Sequence, residues 1–108
     1  MRPYRVNFKS LSWDSPVEGA RFKVHRHEGK QLRLVEFSKE FVEPDWCSRG
    51  HIGYVLEGKA ELDFSGRAET LCAGDGIFIP AGKHHKHKLK VVTDVVKFIL
   101  VESSEPTT

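Results

Sequence analysis

The sequence predicts an all-β protein of one domain, and three observations carry that reading. Segments of alternating, β-branched or aromatic apolar residues recur at short intervals. Glycine-bearing turn signals lie between them. Nowhere do apolar residues at spacing three and four run the ~10 to 12 residues that a helix needs. The 108 residues, 39% hydrophobic and 30% charged, suit a single folded body over residues 1–108 and exclude a disordered chain or a disulfide-dense scaffold.

Taken in order, Phe22 to Arg26 and Leu32 to Phe37 are predicted strands on either side of the turn His27-Glu28-Gly29-Lys30. Ile52 to Leu56 and Ala60 to Phe64 flank Glu57-Gly58-Lys59, and Ser65-Gly66-Arg67 follows as a further turn. Ile77 to Ile79 is a short apolar strand between Ala73-Gly74-Asp75-Gly76 and Pro80-Ala81-Gly82, and Val91 to Val101 is the last strand. Pro16 to Arg21 and the final dozen residues could each hold one helical turn, and Glu102 to Thr108, with its Ser, Pro and Thr, reads as a tail. Many short strands punctuated by glycine suit a sandwich or barrel, which removes or protects the sheet edges.

Seventeen Lys and Arg against fifteen Asp and Glu give +2, too even a balance for the basic footprint of a nucleic-acid binder. No stretch approaches the ~20 apolar residues of a membrane span, and the start lacks the apolar run of a secretory signal, so the expected location is the cytoplasm, with no membrane partner. Two cysteines in such a chain, Cys47 and Cys72, are expected to be reduced.

The chemistry concentrates in two stretches. From Gly74 to His87, Gly74 and Asp75 open a tight turn, Ile77 to Ile79 form a buried strand, and Pro80 and Gly82 make a second turn. His85 then starts the next strand. That order sets an imidazole just past a rigid corner. Glycine, five residues, Pro80, one residue, Gly82, two residues, His85: in this spacing the sequence resembles the second motif of the cupin family, through its metal-binding histidine, with Leu89 where the family has asparagine.

The stretch from Trp46 to Gly66 has the outline of the family's first motif. Gly58 falls at its terminal glycine, with only fifteen residues between it and Gly74, a spacer that suits small microbial members. Six intervening residues back, His51 stands at the place of the glutamate, and Cys47 and Asp45 stand at the places of the two histidines. All three usual residues are replaced, each by a group that can bind a metal. The resemblance covers about residues 31 to 101, two thirds of the chain. It implies a cupin-type double-stranded β-helix, a jelly-roll barrel with one open end and a metal held near that end. It also implies a homodimer.

The candidate metal ligands are therefore Asp45, Cys47, His51 and His85. Residues 45, 47 and 51 share parity and face one side if the segment is extended, and 85 and 87 share a face on another strand. A slip of one residue would instead turn Pro44 and Trp46 inward. Cys47 can equally be a small buried hydrophobe, and Asp45 a turn residue after Pro44. His87 either orients a ligand from behind or substitutes for one. His84, and the pair His25 and His27 beside a turn, read as surface residues, and Cys72 as packing, with a redox role beside Cys47 left open. Trp13, Trp46 and the phenylalanines read as core or rim.

A sulfur and nitrogen donor set favours zinc or iron(II) over magnesium or calcium. An open three-ligand site would serve a small-molecule metalloenzyme of the oxygenase, isomerase or lyase type. Four ligands would make a closed, structural or sensory binding module, and a degenerate barrel would hold no metal at all. In each case the expected partner is a small molecule rather than a nucleic acid or membrane.

Overall fold

The computed structural model describes residues 4–104. Nine strands form it: β1 (Asp14–Val17), β2 (Ala20–His27), β3 (Lys30–Ser38), β4 (His51–Glu57), β5 (Lys59–Asp63), β6 (Ala68–Cys72), β7 (Gly76–Ile79), β8 (Lys88–Val91) and β9 (Val95–Ser103). They make two antiparallel sheets, of order β1-β2-β3-β9-β4-β7 and β6-β5-β8, the layered arrangement of a jelly roll. Among the described residues the helical structure consists of two 3-10 turns, Phe8–Ser10 and Lys83–His85. No helix among them is long and apolar enough to cross a membrane.

The turn chemistry explains the hairpins. Glu28 and Gly29 both have positive φ, 50° and 77°, the pairing that a two-residue hairpin turn requires to match the twist of β2 and β3. Gly58 joins β4 to β5 at φ 84°. A Cβ there would sit 2.1 Å from the Val95 carbonyl oxygen, so the close approach of β9 excludes a side chain.

The core lies between the sheets and follows the strand period of two. Along β9, Val96, Phe98 and Leu100 point inward and are buried, and Glu102 continues the same face. Val35, Val55, Ala60, Leu62, Ile77, Ile79 and Val91 complete the cluster from the other strands. This packing leaves a cavity of about 300 Å3 between the sheets, at the lower end of the range for small-molecule sites.

Three expectations from the sequence are corrected here. Val91 to Val101 is not one strand, because Val92 to Asp94 breaks it into β8 and β9. Thr93 stabilises that break, its hydroxyl donating to the Val95 carbonyl at 2.8 Å while accepting the Lys59 N–H at 2.9 Å. Pro16 and Val17 lie in β1 rather than a helical turn, an edge position where a proline's missing donor faces no partner. Glu102 and Ser103 are strand rather than tail, Ser104 donates its N–H to the Gly29 carbonyl at 2.9 Å, and residues 105–108 of the predicted tail lie outside the described residues.

Candidate metal centre

The site is assembled from the start of β4, the end of β9 and a lone bridge between two irregular segments. Cys47 and His87 pair through reciprocal backbone hydrogen bonds, each N–H donating to the other's carbonyl at 2.9 Å. Directly opposed residues in such a pair project to the same face, so the bridge brings thiol and imidazole together. His51 opens β4 with the inward parity of Val55. Its Nε2 lies 3.7 Å from Cys47 Sγ, and ligand atoms of Cys47, His51 and His87 all lie within 4.8 Å of one another.

Both imidazoles are oriented from behind. The His87 Nδ1–H donates to the His85 carbonyl at 3.0 Å, and the His51 Nδ1–H donates to Glu102. With Nδ1 occupied in each ring, Nε2 is the atom left for the cavity. Glu102 is fixed in turn by the sheet register. Gln31 of β3 stands directly opposite it, and its Nε2 donates to the carboxylate at 2.8 Å. Arg33, two residues on and on the same face, donates at 2.5 Å and 2.7 Å. The Glu102 side chain has no solvent exposure, so a carboxylate there depends on these donors.

The electrostatics follow from the contacts. Burial pushes the Cys47 thiol up, but hydrogen bonds from His51 and His87 outweigh it and bring it down to about 5. Burial lowers His51, yet its bonds to Cys47 and Glu102 raise it to about 9. Glu102, pushed up by burial, is pulled down to about 2 by His51 and Arg33. His87 is raised against its burial by Cys47 and the His85 carbonyl. Glu43 lines the same cavity; burial raises it, only partly offset by the Leu89 N–H that donates to its Oε1 at 2.8 Å.

Of the four ligands expected from the sequence, Cys47 and His51 are brought together, and Asp45 and His85 are not. Asp45 is exposed, because the chain before Cys47 is irregular and strand parity does not extend back through Pro44. His85 ends the 3-10 turn Lys83–His85 and is exposed. A turn of three residues per revolution breaks the alternation that would have carried it inward. His87, only 3% exposed, occupies the position at the group instead. His84 is exposed, as is His27, while His25 is partly buried. Both cysteines are free thiols. Trp46 lies on the rim with the Lys86 and Lys88 ammonium groups 5.2 Å and 5.0 Å from its ring.

Sequence reasoning missed Glu102, Glu43, Arg33 and Arg49. The alternation Val96-Phe98-Leu100-Glu102 was a signal for the first of these. Nothing local to Glu43, Arg33 or Arg49 marks them, since their place depends on how the two sheets close.

A roll of two antiparallel sheets with nitrogen and sulfur donors converging at its interior defines the class, that of small jelly-roll proteins with a candidate metal site. A family description, the Cupin domain, matches residues 43–102, and the chain belongs to the cupin family. Among curated proteins none matches. Among solved structures, the fold is similar to KdgF from Halomonas sp., with 24% identity over 90% of this chain and 92% of that one at a TM-score of 0.70. It is similar to the polyketide cyclase RemF from Streptomyces resistomycificus, with 22% identity, 96% and 81% coverage and a TM-score of 0.76. FeII HppE matches with 14% identity and a TM-score of 0.71 over 90% of this chain but 58% of its own. At these identities the likeness is one of fold.

Proposed function

We propose that this cupin binds one divalent transition metal, zinc or iron(II), through Cys47 Sγ, His51 Nε2 and His87 Nε2, and acts as a metalloenzyme on a small molecule held in the adjoining cavity. The observation that carries the reading is the outward tethering of both imidazoles, His51 by Glu102 and His87 by the His85 carbonyl, the support that metal-ligating histidines characteristically have. The donor set fits the ion: a thiol already biased toward thiolate and two imidazoles form a soft-to-borderline group suited to zinc or iron. Iron(II) is the metal named for HppE, whose barrel is similar.

Three protein ligands leave a position open, so a bound ion would supply Lewis-acid polarisation of a substrate atom. The chain's own residues do the rest. Phe22, Phe37 and Phe41 line the cavity and keep water from the body of a bound molecule. Glu43, anchored through Oε1 by the Leu89 N–H, has Oε2 left to take or give a proton within reach of the same space.

Metal analysis of purified protein tests this. Wild type and His85→Ala are expected to hold about one zinc or iron per chain, whereas Cys47→Ala and His87→Ala lose it. Full metal content in His87→Ala, or none in wild type grown with added metal, would overturn the assignment.

A further inference from the structure

We propose that Arg49 is the carboxylate-binding residue of the cavity and that the molecule taken there is a small organic acid with an apolar body. This rests on the reading of the cavity as a substrate site and names the class of substrate. Three arginines line the cavity, Arg21, Arg33 and Arg49, and two of them are already neutralised. Arg33 is held by Glu102. Arg21 pairs with Glu36 at 2.9 Å and lies over the Trp13 ring at 4.0 Å.

Arg49 differs. Its Nη1 donates to the Ser103 carbonyl at 3.1 Å, and among the described residues it has no ion-pair partner. A neutral carbonyl steadies the guanidinium without cancelling its charge, and most of its five donors remain in the fork that matches a carboxylate. Arg49 lies between Cys47 and His51 in the chain, and all three line the cavity, so an anion on Arg49 sits at the polar end, beside the proposed ligands. Much of the remaining lining is hydrocarbon, including Phe22, Phe37, Phe41, Leu62, Leu71 and Leu100. A volume of about 300 Å3 equals that of about ten liquid waters, which confines the guest to a small molecule. A guanidinium without a counter-ion in a largely hydrocarbon lining specifies an acid with an apolar body rather than a sugar or a cation.

Calorimetric titration with 3-phenylpropionate and its uncharged isostere 3-phenylpropionamide tests the proposal. The proteins are zinc-loaded wild type, metal-stripped wild type, Arg49→Met and Arg49→Lys, each checked for folding by circular dichroism and for zinc content. Wild type, loaded or stripped, is expected to bind the acid about tenfold or more tightly than the amide. Arg49→Met should lose that preference, and Arg49→Lys should keep part of it. Equal affinity for acid and amide, binding of neither, or an undiminished preference in Arg49→Met would overturn the proposal. A preference confined to the zinc-loaded form would also overturn it, because the ion and not Arg49 would then be holding the acid. Zinc content separates the two readings: a chain that takes no zinc yet keeps an Arg49-dependent preference for the acid sinks the metal assignment alone.

Discussion

Glu102 connects the barrel wall to the proposed ligands: Gln31 and Arg33 hold one side of its carboxylate and His51 takes the other. Replacing it with glutamine keeps the volume but weakens its grip on His51, and zinc affinity should fall about 10- to 100-fold, measurable by competition with a chelator. Glu102→Ala also leaves Arg33 without its counter-ion, and urea denaturation should show a loss of about 3 kcal/mol.

The same network predicts a pH profile for the metal-free protein. Cys47 is lowered on folding from 9.0 to about 5, so its contribution is complete above about 9 and disappears as pH falls through about 5. His51 is raised from 6.5 to about 9, so its contribution is complete below about 6.5 and disappears as pH rises through about 9. Between those limits the slopes cancel, because a folded thiolate and imidazolium together carry as many protons as an unfolded thiol and neutral imidazole. Glu102, lowered from 4.5 to about 2, adds a loss on the acid side only. His87 is raised from 6.5 as well, so its contribution is lost as pH rises above about 6.5, and urea midpoints should decline on acidification below about pH 6.5 and decline more gently above it. Midpoints that kept rising from about pH 6.5 to 9 would contradict the thiolate–imidazolium pair.

At this scale the sequence was legible in part. Cys47 and His51 stand out by spacing. Glu102 is hidden by the Ser-Ser-Glu-Pro composition that follows it, although its parity with Leu100 places it inward.

The elements show where strand parity can be trusted. It holds along β9 and β4, which run uninterrupted, and it fails across Lys83–His85, where a 3-10 turn intervenes. The motif spacing put His85 past the corner at the start of a strand, but His85 ends the 3-10 turn and β8 begins at Lys88, and only the geometry of that corner decides which later histidine turns inward. β1 and β6 were not legible, for a different reason. β1 is exposed throughout, and β6 is exposed over its first three residues, so neither carries the apolar alternation from which strands are read. Turns were the most readable elements, since positive φ at Gly29, Gly58, Gly66, Gly74 and Gly82 leaves a residue signature. Gly58→Ala should cost about 1 to 3 kcal/mol, seen as a lower urea midpoint. The cause is the combination of positive φ and the Val95 carbonyl that its Cβ would meet. An unchanged midpoint would mean that β9 can move aside.

For the whole molecule, the all-β class and the jelly roll were evident from turn spacing and motif, because both depend on local chemistry. The cavity was not, because it is a product of six strands of one sheet closing over three of the other. A ligand that binds only the closed roll stabilises it by mass action. Excess zinc should therefore raise the melting temperature of wild type but leave that of Cys47→Ala unchanged, as differential scanning calorimetry would show.

The lone bridge between Cys47 and His87 has a kinetic counterpart. Residues 39–50 contain no strand and are pinned near their end by that bridge and by the Gly82 N–H on the Ser48 carbonyl. Such a segment can open locally at little cost while the sheets remain intact. An ion clasped by Cys47 on one side and His87 on the other would act as a rivet through the same two residues, so their amide protons should exchange with deuterium far more slowly once zinc is added. Amides deep in β9 would keep the rate they already had.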